Sequence, residues 1–283
     1  MKMPFLLALS ALVVAHSAYA LDCTKASSPV DKMICATPDL KKADEDMSAT
    51  YFKLLRATTD PDFHEALIRS QRKWLKERSL GPQRYGLAEN DKTDDREVLL
   101  EMTRDRVKFL QGPAIRNMEN QRKIASEDGG GAFAGYSSTC TLMPPPYGNW
   151  TYECGGGVTR QHGDRICSLG QEWASGHMTD YRLLSVIKDG KPHPVASCST
   201  GYASTTEQCP EPDDPPEFKA IAHWNTTPDP ANEDLPIPGA DKLWKYDPDL
   251  DQDLTDQPWM HDCLFAPNFP LPELSRADPP RKK

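Results

Sequence analysis

Eight cysteines are spread along this chain, and none of them stands in a C-x-x-C pair. That spacing argues against a thioredoxin-like redox site and against a zinc ribbon, because both use closely paired cysteines. In a compartment that oxidises thiols, an even number of cysteines predicts structural disulfides. The role of these cysteines therefore depends on the compartment in which the chain folds. The cysteines are Cys23, Cys35, Cys140, Cys154, Cys167, Cys198, Cys209 and Cys263.

The N-terminus has the pattern of an export signal. A basic start at Lys2 precedes an apolar run from Phe5 to Ala15, which is too short to span a bilayer stably. Ala18 and Ala20 supply small side chains at the −3 and −1 positions of a signal peptidase site. We therefore predict a signal peptide over residues 1–20, cleavage after Ala20 and a periplasmic or secreted mature chain that starts at Leu21. An uncleaved anchor is the alternative, and no later stretch reaches the length of a membrane span.

Charge divides the chain into two unlike parts. The 283 residues carry a formal charge of −9, which excludes a basic nucleic-acid binder. Residues 22–111 hold 17 basic and 17 acidic side chains, whereas residues 112–283 carry −10. Of the 26 prolines, 15 follow Thr205. This length is enough for one large or two ordinary domains.

Residues 21–111 have the pattern of an all-α domain. Thr37-Pro38-Asp39 and Asp60-Pro61-Asp62 each combine an N-cap, a proline at the first helical position and an acid on the helix dipole. Apolar residues then recur at helical spacing, and Gly-Pro pairs at 81–82 and 112–113 end two of the helices. The apolar residues include Leu40, Met47, Tyr51, Leu54, Phe63, Leu67, Trp74, Val98, Leu99, Met102 and Leu110.

Residues 136–283 have weaker, β-type signals. Asn149–Cys154 alternates in the manner of a strand, and Tyr181–Ile187 and Val195–Ser199 flank an Asp-Gly turn. Ala220–Trp224 is one further candidate strand. We expect a linker at 112–135, with a short helix inside it, and then a small disulfide-linked β-rich module with proline-rich loops and a loosely ordered acidic tail. Its six cysteines allow 15 pairings, and the sequence does not choose among them.

A set of short motifs in the helical part follows the order seen in a known family. The set comprises Asp22-Cys23, Asp31–Cys35, Pro38, Leu40, Asp44, Met47, Tyr51 and Gln71–Arg78. Over residues 22–110 it resembles the lysozyme-inhibitor LprI-like N-terminal domain family of exported bacterial proteins. The resemblance implies a small all-helical domain in the periplasm or envelope and, for at least one named member, inhibition of lysozyme.

Cys23 and Cys35 lie at the open end of this domain. A disulfide between them would close a short loop and tie the N-terminus to the start of a helix, which stabilises by about 3 kcal/mol in the entropy model. A reactive thiol pair is the less favoured alternative. Many members of the family carry a second cysteine pair, but Ser79 and Val98 stand near those places here.

Four residues of the motif set are candidates for binding a partner. Tyr51 and Trp74 could form an aromatic surface, although their helical spacing favours the core. Gln71 and Arg78 lie one turn either side of Trp74, where they could bind a partner or, as we favour, hydrogen-bond across helices. The basic residues nearby indicate a solvated face, with contact to an anionic partner as the alternative. They are Arg69, Arg72, Lys73, Lys76 and Arg78.

The sequence contains no complete enzymatic constellation. Ser70-x-x-Lys73 matches the spacing of penicillin-recognising enzymes, but their Ser-Asp-Asn and Lys-Thr-Gly elements are missing. The alternate aspartates from Asp247 to Asp256 resemble a calcium loop, but Gln252 and Pro258 stand where glycine and glutamate are needed, so we predict a solvated acidic loop. We predict no metal, no cofactor and no catalytic residue.

Three functions remain in order of preference. The first is a non-enzymatic envelope binding protein that inhibits a cationic lysozyme (muramidase) by covering its cleft. The formal charge of −10 on residues 112–283 favours this function, because it would attract a basic partner. The second is a structural or interaction module that binds a peptidoglycan fragment or another envelope protein. The third is a hydrolase with a site around His162, Asp164 and His177. The sequence specifies neither the ligand nor the oligomeric state.

Overall fold

The computed structural model describes residues 21–80, 95–143, 151–174, 177–200, 208–210, 222–232 and 235–277. The predicted signal peptide, residues 1–20, lies outside these ranges. Helices fill the first part of the described chain up to residue 128, and a disulfide-linked antiparallel sheet follows. The predicted fold class, a helical domain followed by a β-rich part, is therefore confirmed.

The described residues up to 128 contain five α-helices, and proline begins four of them. They are α1 (Pro29–Ala36), α2 (Pro38–Ala57), α3 (Pro61–Leu80), α4 (Asp95–Gln111) and α5 (Pro113–Asp128). Asp60 caps α3 as predicted, because its Oδ1 accepts hydrogen bonds from the amides of Asp62 and Phe63 at 2.9 and 3.1 Å. Helix α5 occupies much of the segment 112–135, and Gly129 ends it in the left-handed conformation at φ 89°.

The core of the helical part extends into the sheet. Met47, Tyr51 and Trp74 pack with apolar residues of α4 in one buried cluster. Leu142, from the first strand, lies in the same cluster and is 1% exposed, and Tyr152 packs against it. The two parts of the chain therefore share a hydrophobic core.

Seven strands form one sheet in which spatial order follows chain order. All neighbours are antiparallel except β6 and β7. The strands are β1 (Gly135–Met143), β2 (Thr151–His162), β3 (Arg165–Ala174), β4 (His177–Lys188), β5 (Lys191–Thr200), β6 (Trp224–Asn225) and β7 (Ser275–Arg276). The predicted Asp-Gly turn joins β4 to β5, with both Asp189 (φ 52°) and Gly190 (φ 73°) at positive φ as a primed hairpin turn requires.

The C-terminal segment is not loosely ordered over residues 235–277, so that expectation is wrong. Leu250, Leu254, Met260 and Leu264 are buried there, in two short helices and the loop before them. Those helices are α6 (Gln252–Thr255) and α7 (Pro258–Phe265). Prolines prevent long ladders in this segment, yet its apolar side chains still bury against the sheet. Among the described helices, none combines the length and the apolar composition that crossing a membrane requires.

All eight cysteines form disulfides. Cys23 pairs with Cys35 in the helical part. Three further bridges hold the sheet: Cys140–Cys154 joins directly opposed residues of β1 and β2, Cys167–Cys263 joins β3 to α7, and Cys198–Cys209 closes a short loop after β5. The bridges therefore fasten both parts of the chain.

Candidate functional site

The four predicted partner-binding residues lie inside the helical part. Tyr51, Gln71, Trp74 and Arg78 are 8, 4, 1 and 7% exposed. Tyr51 and Trp74 occupy the core, which is the alternative that their spacing favoured. Partner binding through these four side chains stays a prediction, and their burial leaves almost no surface for direct contact.

Gln71 and Arg78 make hydrogen bonds between helices. The Nε2 of Gln71 lies 3.1 Å from the Sδ of Met47, and its Oε1 accepts a hydrogen bond from Nε of Arg106 at 3.1 Å. The guanidinium of Arg78 donates to the carboxylate of Asp44 on α2. These contacts join α3 to α2 and α4.

A buried ionic network connects the helices to the C-terminal segment. Asp249 Oδ2 lies 2.8 Å from Lys73 Nζ, and Asp249 Oδ1 lies 3.5 Å from Nη1 of Arg106. Ser70 Oγ donates to Asp249 Oδ1 at 2.5 Å and accepts from Nη2 of Arg106 at 2.8 Å. Because the side chains of Arg106 and Asp249 are 2 and 1% exposed, this network lies away from solvent.

Asp247 extends the same network to the sheet. Its Oδ2 lies 3.1 Å from Lys73 Nζ and accepts a hydrogen bond from Ser138 Oγ of β1 at 2.8 Å. Its backbone amide donates to Gln121 Oε1 at 2.9 Å, and Gln121 Nε2 donates back to the Asp247 carbonyl at 2.7 Å. One aspartate therefore links α3, α5 and β1.

This burial corrects the predicted solvated acidic loop at Asp247 and Asp249. The later acids of the same run are exposed as predicted, namely Asp251, Asp253 and Asp256. Asp247 and Asp249 have side chains 2 and 1% exposed, and protein cations neutralise both. Burial by itself raises the pKa of Asp249, but Lys73, Arg106 and the Ser70 hydroxyl together hold that pKa below its usual value. The two carboxylates form ion pairs with Lys73 and Arg106 of the same chain, so they are not arranged as the ligands of a calcium loop.

The predicted basic face of α3 divides into two groups. Arg69 and Lys73 contact the C-terminal segment, since the Arg69 guanidinium lies 3.9 Å from the centre of the Trp244 ring and donates to the Tyr246 carbonyl. Arg72 and Lys76 are exposed. The anionic groups that Lys73 contacts thus come from the same chain.

The residues considered for hydrolysis do not form one site. Ser70 is fully buried and hydrogen-bonds to Asp249, so no substrate reaches its hydroxyl. His162 and Asp164 stand at the start of the ten-residue strand β3, while His177 pairs with Ala174 at its end. A strand of that length separates the two ends by about 30 Å. The grouping of His162, Asp164 and His177 is therefore wrong.

A cleft crosses one face of the sheet. It has a volume of about 460 Å³ and lies between strands β1 to β4 and the chain segment 235–243. Gly157 and Gly170 form part of its floor, where a Cβ on Gly170 would come within 3.1 Å of Pro236. Thr139 also lines the two smaller cavities beside this cleft.

Two carboxylates line the main cleft. Glu172 from β3 and Asp241 from the opposite wall are both exposed. Within the part of the chain that the structure describes, neither side-chain carboxylate makes a hydrogen bond or an ion pair. Ser137, Thr139 and Tyr181 line the same cleft. Since carboxylates accept but do not donate hydrogen bonds, the cleft suits a ligand that carries donors or positive charge.

These features define a class of protein: a helical domain that shares its core with a disulfide-bonded sheet, with an open acidic cleft on that sheet. Residues 23–110 match the family described as Lysozyme inhibitor LprI. The match spans α1 to α4 and the Cys23–Cys35 bridge, so the resemblance predicted from the sequence is confirmed over that segment. Comparisons with curated proteins and with solved structures gave no match.

Proposed function

We propose that this protein is an exported envelope protein that binds a lysozyme and inhibits it by covering the enzyme's cleft. The match of residues 23–110 to the lysozyme inhibitor family carries this proposal. Four disulfides with no free cysteine support folding in an oxidising compartment. The export signal predicted from the sequence supports cleavage after Ala20 and release of the mature chain into the periplasm or the medium. The proposed action is binding, which requires no catalytic residue.

We place the contact with the enzyme at the acidic cleft of the sheet. A cationic partner is repelled by the exposed Arg72 and Lys76 on α3 but attracted by Glu172 and Asp241. The formal charge of −10 on residues 112–283 adds a long-range attraction that speeds association. A lysine or arginine of the enzyme would donate charge-assisted hydrogen bonds to the two carboxylates.

A cell-wall clearing assay with a basic lysozyme tests the inhibition. The purified protein should lower the rate of clearing in proportion to its molar ratio. No inhibition at a large molar excess, together with no binding by calorimetry, would reject the proposed function. In that case, capture of an endogenous envelope partner would support the alternative interaction module.

A charge-removal variant tests the surface separately. Glu172→Gln with Asp241→Asn should slow association several-fold at low salt and reduce its dependence on salt, because charges at the edge of an interface mainly change the association rate. Asp253→Asn with Asp256→Asn is the matched control, since both aspartates are exposed but lie outside the cleft. Equal rates for the two double variants would exclude the cleft while leaving the inhibition itself in place.

A further inference from the structure

The backbone nitrogen of Leu21 lies on a buried carboxylate. It donates to Asp44 Oδ2 at 3.0 Å, and Asp44 is only 3% exposed. The other oxygen of the same carboxylate accepts a hydrogen bond from Arg78. The Leu21 side chain packs against a buried cluster that contains Ile34 and Leu99. Both ends of this residue, its nitrogen and its side chain, are therefore held.

The chain after Leu21 is held as well. Asp22 Oδ1 accepts a hydrogen bond from the Thr24 amide at 3.1 Å, which caps a short 3-10 turn. Cys23 is joined to Cys35 at the end of α1. The segment that presents the Leu21 nitrogen to Asp44 is thus fastened by a bridge two residues later.

We propose that Asp44, held in place by Arg78, is the binding site for the mature N-terminus, created when the chain is cut between Ala20 and Leu21. The proposal rests on the predicted signal peptidase site. Hydrolysis of that peptide bond consumes one water and leaves a carboxylate on Ala20 and an α-ammonium on Leu21. The new cation then replaces a neutral amide at 3.0 Å from Asp44 Oδ2.

The charge on the Leu21 nitrogen distinguishes the cleaved chain from the uncleaved one. A peptide N–H offers one donor and no charge, whereas an ammonium offers three donors and a positive charge. The hydrogen bond from the peptide N–H to the ionised Asp44 is already charge-assisted on the acceptor side. The ammonium adds a direct attraction between opposite charges, and burial of Asp44 reduces the screening of that attraction by water. Processing would therefore strengthen the contact that joins the N-terminus to α2 and, through Arg78, to α3.

Mass spectrometry of the exported protein gives the first test. The mature chain should begin at Leu21, and a start at any other residue would overturn the proposal. The second test compares the mature chain with the same chain acetylated at the Leu21 nitrogen, which keeps an N–H but removes the charge. We expect acetylation to raise the unfolding equilibrium constant about tenfold, which corresponds to a fall of about 3 °C in Tm.

The partner is identified by a double-mutant cycle. In the Asp44→Asn variant, acetylation should have no further effect on Tm, whereas in Asp46→Asn, an exposed acid two residues along α2, it should keep its full effect. If acetylation lowers Tm by the same amount in Asp44→Asn as in the parent, the pairing of the Leu21 ammonium with Asp44 is overturned.

A measurement on the parent protein covers the case in which Asp44→Asn does not fold. Acylation of the Leu21 amine, followed by mass spectrometry of the N-terminal peptide, should be at least tenfold slower in the folded than in the denatured chain. Equal rates would overturn the proposal without any variant. None of these readouts depends on lysozyme, so their outcome is separate from that of the proposed function.

Discussion

Asp249 is the residue on which most buried charge converges, since Lys73, Arg106 and Ser70 all contact its carboxylate. We predict that Asp249→Ala lowers the free energy of unfolding by about 3–5 kcal/mol, because it leaves Arg106 without its buried carboxylate and Lys73 with Asp247 alone. Guanidinium denaturation followed by circular dichroism measures the loss. Asp253→Ala, an exposed aspartate of α6, should change stability by less than about 0.5 kcal/mol. Equal effects of the two variants would contradict the role of the network.

The same carboxylate makes stability depend on pH. The pKa of Asp249 lies below the ordinary value of 3.8, so its contribution is present above about pH 4 and is lost as pH falls through the folded pKa. We predict that the free energy of unfolding declines below pH 4 and that Asp249→Asn declines less steeply. Urea denaturation at pH 2 to 5 tests this. Parallel curves for parent and variant would show that Asp249 does not supply the dependence.

The residues around Asp44 and Asp249 show the limit of local pattern. Gln71, Trp74 and Arg78 stood out in the sequence because they form a compact string on one helix. Asp247 and Asp249 looked like a solvated loop, because their partners Lys73, Arg106 and Ser138 are more than a hundred residues away. No local sequence pattern identifies a charged residue whose partner is so far away in the chain.

Among the covalent links, Cys167–Cys263 joins elements that are furthest apart in the chain. The bridge spans 96 residues, whereas Cys198–Cys209 spans 11. In the chain-entropy model a loop of about 100 residues stabilises by about 4.7 kcal/mol and one of about 15 residues by about 3 kcal/mol. We therefore predict that replacing Cys167 and Cys263 by alanine lowers Tm more than replacing Cys198 and Cys209.

Calorimetry of the two double-alanine variants measures this difference, and peptide mapping without reduction establishes the four pairings first. A larger loss from the Cys198–Cys209 variant would contradict the expected order. A different set of pairings would contradict the arrangement of β3 against α7.

Secondary structure elements differed in how far the sequence predicted them. Helices α2 and α3 were predicted because capping, proline at the first turn and apolar periodicity agree there. The β4–β5 hairpin was predicted because Asp189-Gly190 suits the primed turn. Strands β1 and β3 were not predicted. Gly170 weakens the alternation of β3, and the glycines at 155–157 weaken that of β2 after Cys154. The sheet uses Gly156 for close approach, since a Cβ there would come within 2.0 Å of the Ser137 carbonyl oxygen.

At the scale of the molecule, the helices and the sheet depend on each other. They share the cluster that contains Trp74 and Leu142, and they share the ionic network around Lys73 and Asp249. We predict that the full chain unfolds in one transition, with far-ultraviolet and near-ultraviolet circular dichroism changing together.

Separation of the parts tests this coupling. Residues 21–128 alone would expose the faces of α3 and α4 that Leu142, Asp247 and Asp249 cover, so this fragment should unfold at a lower denaturant concentration than the full chain. Equal midpoints, or two separate transitions in the full chain, would contradict the shared core.

The sequence by itself determined the helical domain, its family resemblance, the use of cysteines as bridges and the separation of charge between the two parts. Those features depend on local periodicity, capping and composition, which act over a few residues. Only the tertiary structure decided which cysteines pair, that Asp247 and Asp249 neutralise α3 and α4, and that glycines open a cleft on the sheet. These outcomes depend on groups far apart in the chain, whose meeting is set by packing.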